Sequence, residues 1–167
     1  MIAVNVLLQG SAELQSALAA LPVKISRQVV RTGVRKGTQL VRDAQRRAAK
    51  SVVGGRMGNL LAKHIVTHVP KRRLGEYTIS VMFRKGVDEF VHVTKAGVRY
   101  YIPHAIEFGH ALPGHGHGGG GGAPAPKDVA AMPFMRPAAQ QNRQRAMEEV
   151  MSVLRSAMAR ENARVPG

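Results

Sequence analysis

Cysteine and tryptophan are absent from this chain, and acidic residues are few. Without cysteine there is no disulfide framework, no thiol nucleophile and no cysteine-ligated zinc or iron–sulfur centre. Aromatic residues make up only 4% of the sequence, so the expected core is built from Ala, Val, Leu, Ile and Met. No apolar run approaches the ~18–20 residues of a membrane span. The segment from Met1 to Gly10 lacks a basic region followed by an apolar stretch, so it does not read as a secretory signal. These absences lead us to expect a soluble protein of a reducing compartment with no membrane partner.

Positive charge is what the chain has in excess. Its 167 residues carry 25 Lys plus Arg against 10 Asp plus Glu, a formal net charge of +15. Between Lys24 and Arg73 stand 14 basic residues and one acid, Asp43, a net +13, which leaves +2 for the other 117 residues. A basic half of this kind faces nucleic acid or an acidic protein surface, or serves as a solvated face that keeps the protein soluble. The length predicts one domain over residues 1–167, and 44% hydrophobic content argues against wholesale disorder.

Residues Ile2 to Leu8 alternate around Asn5 and read as a strand. Ser11 then caps a short helix that stops at Pro22. A long helix is expected from Val23 to Lys50, because Val30, Val34, Gly37, Val41, Ala44 and Ala48 recur at helical spacing. Arg27, Arg31, Arg35, Arg42 and Arg46 share an adjoining face. Gly33 and Gly37 weaken the helix by about 1 kcal/mol each relative to Ala, which suggests close approach of another element there. Gly54, Gly55 and Gly58 read as a loop. Strands are then expected at Leu61–Val69, Tyr77–Phe83 and Val87–Thr94, with a turn at Ala96-Gly97. Residues 109–127 form a His/Gly/Pro-rich stretch expected to be a flexible loop. The last helix is expected from Pro137 to Arg160, with Met147, Val150, Met151, Leu154 and Met158 on one stripe and residues 164–167 frayed. The fold class is therefore α+β: a small antiparallel sheet packed by a long basic helix and a C-terminal amphipathic helix.

Catalytic chemistry finds little support in these residues. His104, His110, His115 and His117 crowd around the glycine run, but metal sites hold their ligands on firm elements with supporting partners, so no metal is expected. No Gly-rich phosphate loop with a following Lys and Ser or Thr is present, and Glu107 has no second carboxylate near it in sequence. Neither an enzyme nor a cofactor is expected. Glu107 is read instead as the partner of an arginine, either Arg136 or one from a neighbouring chain.

Two segments together resemble a known family. One is Tyr100-Tyr101-Ile102-Pro103-His104-Ala105-Ile106-Glu107-Phe108-Gly109; the other is Met132-Pro133-Phe134-Met135-Arg136-Pro137-Ala138. A tyrosine-rich lead into E-F-G, followed by P-F-M-R-P-A before an amphipathic helix, is similar to the tail-component family of long-tailed bacteriophages, whose members are neck, tail-completion or head–tail connector proteins. The resemblance implies a virion protein of the neck or tail, assembled in the host cytoplasm as a ring of about six copies. That ring would complete or terminate the tail and join it to the head connector. It also implies a structural role for Tyr101, Glu107, Phe108, Gly109, Phe134, Arg136 and Pro137, bracing the final helix against the sheet. The five-arginine face would meet an acidic ring protein or DNA in the lumen. The alternative is a nonspecific DNA-binding protein that uses the arginine helix alone.

Overall fold

A computed structural model of the chain describes residues 23–70, 77–95, 97–112 and 127–163. The strand expected at Ile2–Leu8, the short helix after Ser11, most of the glycine-rich stretch and residues 164–167 lie outside the described residues.

Helix α1, Val23–Ala48, continues through a π-helical turn at Ala49–Val53. Its seam buries Val34, Thr38, Val41, Ala44 and Gln45, following the 3.6-residue period read from the sequence. Helix α2, Gly55–His64, then leads directly into strand β1, Ile65–His68, which pairs antiparallel with β2, Ser80–Phe83. A 3₁₀ turn at Asp88–Phe90 precedes β3, Val91–Val93, and β3 pairs antiparallel with β4, Arg99–Tyr101. Helix α3, Ile102–Phe108, is followed by β5, His110–Leu112, which pairs with β6, Lys127–Val129. The chain ends in α4, Met135–Gln141, and α5, Arg143–Asn162.

The α+β class holds, with the long helix and the C-terminal helix packed on small antiparallel pairs. The expected strands do not join in one sheet: the described strands pair in twos, β1 with β2, β3 with β4 and β5 with β6. Helix α2 replaces the glycine loop and the first half of the strand expected at Leu61–Val69. The reason is packing. Gly58, Leu61, Ala62 and Ile65 are buried at spacings of three, four and seven, and they present one helical face to the end of α1. Gly54 makes the entry turn at φ +68°, a conformation that glycine adopts without strain.

The final helix also differs from expectation. It begins two residues before Pro137 and breaks at Asn142, whose side-chain Nδ2 donates to the Ala138 carbonyl at 2.9 Å. The flanks of the glycine-rich stretch, expected as loop, pair as β5 and β6.

The core is built mainly from Ala, Val, Leu, Ile and Met, as expected, with two phenylalanines at its centre. Phe90 and Phe134 are its largest fully buried side chains, and both meet Phe83 edge-on at centroid distances of 5.6 and 6.3 Å. Leu61, Ile65, Val81, Val41 and Met135 pack around them. A few rings placed centrally bury more area per residue than the aliphatics they displace.

Candidate functional site

The E-F-G and P-F-M-R-P-A segments meet in the folded chain. Glu107, on the last turn of α3, is 5% exposed. Its Oε2 accepts from the backbone N–H groups of Phe134 and Met135 at 2.9 and 3.1 Å, and its Oε1 accepts from that of Arg136 at 3.1 Å. These are donors at the start of α4 that helical geometry leaves without intrahelical partners. Phe134 occupies the N-cap position, but its side chain is in the core and gives no cap of its own. The cap therefore comes from a residue far away in sequence.

This corrects the expected Glu107–Arg136 ion pair. Arg136 contributes its main-chain N–H, while its guanidinium carbon lies 5.8 Å from the centroid of the Phe108 ring. A carboxylate at the C-terminal end of its own helix is locally unfavourable. Here three charge-assisted bonds to α4 outweigh that cost. Gly109, at φ +75°, turns the chain out of α3, and Pro137 sits in the first turn of α4, where a missing N–H costs nothing.

Beside this joint is a cleft of about 300 Å³, lined largely by apolar side chains that include Val81, Phe83, Tyr101, Pro103, Phe108 and Met135. Tyr101 and Phe108 are 42% and 48% exposed on its rim. The Tyr101 ring meets Phe90 edge-on at 5.9 Å, and partial burial pushes its phenol above the ordinary value, so it remains a neutral hydroxyl at physiological pH. The cross-strand register puts Val91 opposite Tyr101, and Val91, Val93 and Val98 are exposed on the same hairpin.

The five arginines that share the expected face of α1 do not behave as one surface. Arg27 and Arg35 are exposed. The guanidinium of Arg31 stands 5.4 Å from the Tyr77 ring centroid. Arg42 bonds to Oδ1 of Asp43 through Nη2 at 2.7 Å and Nε at 2.8 Å. Arg46 donates from Nε and Nη2 to the Ile65 carbonyl at 3.0 and 2.7 Å, tying α1 to the junction of α2 and β1. Arg46→Ala is expected to destabilise the fold by about 1–2 kcal/mol. A lowered urea midpoint at unchanged slope would show it; a change within about 0.5 kcal/mol would return Arg46 to the ordinary surface.

Sequence reasoning passed over Arg47, Lys50, Arg56 and Lys63, which are all exposed. The signal available was the complete absence of Asp and Glu from Ala44 to Pro70. Of the histidines, His104 lies against Phe108 at 4.7 Å between centroids, and His115 and His117 lie outside the described residues. Among the described residues no group of three or more His, Asp or Glu side chains gathers as a metal site would require. No described helix is long and apolar enough to cross a membrane. Comparisons with protein-family models, curated proteins and solved structures gave no match to this chain.

Proposed function

We propose that this protein is a structural component of a bacteriophage virion at the head–tail junction. Its copies assemble into a ring that completes or terminates the tail and joins it to the head connector. The observation that carries this reading is the joint between its two motif segments. The residues that resemble the tail-component family form one braced unit, with Glu107 holding the start of α4. Catalysis has no part in this reading. The apolar rim of Tyr101 and Phe108, with exposed Val91 directly across the strands from Tyr101, supports a contact between neighbouring subunits.

Electron microscopy of the purified chain over a concentration series tests the proposal. Closed rings of about six copies are expected, as a head-to-tail contact gives when its rotation closes. A double variant, Tyr101→Glu with Phe108→Glu, places charges on that rim and is expected to be monomeric with an unchanged circular dichroism spectrum. A wild-type chain that stays monomeric at every concentration overturns the ring. Rings that persist in the double variant overturn the assignment of this face.

A further inference from the structure

We propose that the corner where the end of α1 meets α2 binds the phosphate backbone of duplex DNA without reading its sequence. The inference concerns the surface of a single chain and does not depend on ring assembly. Two contacts define the corner. Gly58 of α2 lies against the Ala49 backbone, so close that a Cβ added there would stand 2.6 Å from the Ala49 oxygen. The Arg46 guanidinium reaches the Ile65 carbonyl just past the other end of α2. The two helices thus run antiparallel, with Arg47 and Lys50 near the end of α1 and Arg56 and Lys63 on α2.

All four side chains are exposed. No acid stands between Ala44 and Pro70 to neutralise them, and the ion pairs among the described residues, Lys36–Glu149 and Arg42–Asp43, involve none of the four. The long face of α1 is different, because three of its five arginines are already engaged within the chain. Among the described side chains of α1, α2 and the turn between them, the exposed cations without an ion pair are Arg27 and Arg35 on that face and these four past its end. Arg56 and Lys63, seven residues apart, are separated by about 10 Å along α2. Between Lys50 and Arg56, the Gly54–Gly55 turn projects no side chain, and a Cβ added at Gly55 would meet nothing within 4 Å. A broad polyanion can approach cations on both sides of this turn.

The composition of the corner favours nucleic acid over an acidic protein. Stable protein interfaces have a centre depleted of charge and anchored by aromatic or large aliphatic side chains. Here the other exposed residues between Arg47 and Lys63 are Ser51, Gly55, Asn59 and a single valine, Val52. Protein–DNA interfaces are more polar and much more positive. The Asn59 side-chain Nδ2 donates to the Gly55 carbonyl at 2.9 Å, which commits the one amide there that would read an adenine edge. The four long cationic side chains suit phosphate contact, which positions but does not specify.

The test measures binding of the full chain to a short random-sequence duplex by fluorescence anisotropy, between about 50 and 200 mM salt. Neutralising four phosphate contacts adds about 3.6 to the steepness of log K against log salt. The quadruple variant Arg47→Gln, Lys50→Gln, Arg56→Gln, Lys63→Gln is expected to lose that increment, and with it about a hundredfold of the affinity change over this range. The control Arg27→Gln with Arg35→Gln is expected to keep the wild-type slope, and both variants to keep the wild-type circular dichroism. Three outcomes overturn the proposal: no salt-dependent binding by the wild type, a slope lost in the control but kept in the quadruple variant, or poly-glutamate bound as tightly as the duplex. The last would make an acidic protein the partner.

Discussion

Replacing Glu107 with alanine is expected to destabilise the fold by about 4 kcal/mol, a large fraction of a margin of stability that is typically about 5–15 kcal/mol. The substitution removes three charge-assisted bonds and leaves the N–H groups of Phe134, Met135 and Arg136 without acceptors at a site that is mostly buried. Bonds to a charged group contribute about 1.5–3 kcal/mol each, but they are not additive when one side chain makes all three. Glu107→Gln keeps one carbonyl oxygen and turns an amide nitrogen toward a donor, so a loss of about 2 kcal/mol is expected. Arg136→Ala is the informative contrast. An ion pair would make it as damaging as Glu107→Ala, whereas a guanidinium resting over the exposed Phe108 ring is worth less than about 1 kcal/mol. Urea unfolding of the three variants separates the two pictures. Equal losses for Glu107→Ala and Arg136→Ala would restore the ion pair.

That joint also shows how far the sequence could be read. The two segments were recognisable by resemblance, and Glu107 was legible as a residue with a partner near Arg136. Nothing local identified the bonding groups. Capping by a side chain 27 residues away leaves no pattern in the spacing, because the N-cap position itself holds Phe134, which the core requires. The two long helices were legible because each is amphipathic over several turns, a signal that accumulates with length. The β region was not. Leu61 to Val69 is rich in residues that favour strands, yet its first four residues are helical, because α2 buries Leu61 and Ala62 against the end of α1. Tertiary packing there overrides a weak local preference.

Charge followed the same logic. Counting located a net +13 between Lys24 and Arg73, and helical spacing drew the eye to the arginines of α1. Spacing shows which side chains share a face; it does not show which ones the fold has already used. Arg46 braces a carbonyl and Arg42 a neighbouring carboxylate, so neither is as free for a partner as the helical wheel suggests. The cations at the α1–α2 corner were overlooked because they are divided between two helices with a turn between them.

The second large effect belongs to two glycines whose replacement by alanine should reverse the usual sign. In an exposed helix interior Gly→Ala gains about 1 kcal/mol, because alanine has less backbone entropy to lose. A Cβ at Gly37 of α1 would stand 2.6 Å from Val150 Cγ2 and 2.8 Å from the Ala146 carbonyl oxygen. A Cβ at Gly58 of α2 would stand 2.6 Å from the Ala49 oxygen. Both meet main-chain atoms of a neighbouring segment, which move only if a whole helix shifts. Gly37→Ala and Gly58→Ala are each expected to lose about 2–3 kcal/mol net, the range of overpacking in a tight core.

Gly33, one turn before Gly37, provides the internal standard. Its added Cβ would lie 3.3 Å from the Val150 oxygen, a contact relieved by a few tenths of an ångström, so the propensity gain and the strain nearly cancel. Gly33→Ala is therefore expected to stay within about 1 kcal/mol of wild type. Combining Gly37→Ala with Val150→Ala removes the side-chain clash but leaves the Ala146 carbonyl in place, and opens a cavity where Val150 is buried. The pair should therefore fail to regain wild-type stability. Full recovery would mean that α1 and α5 are held apart by side chains, whereas failure to recover is what direct approach of the two backbones at Gly37 requires.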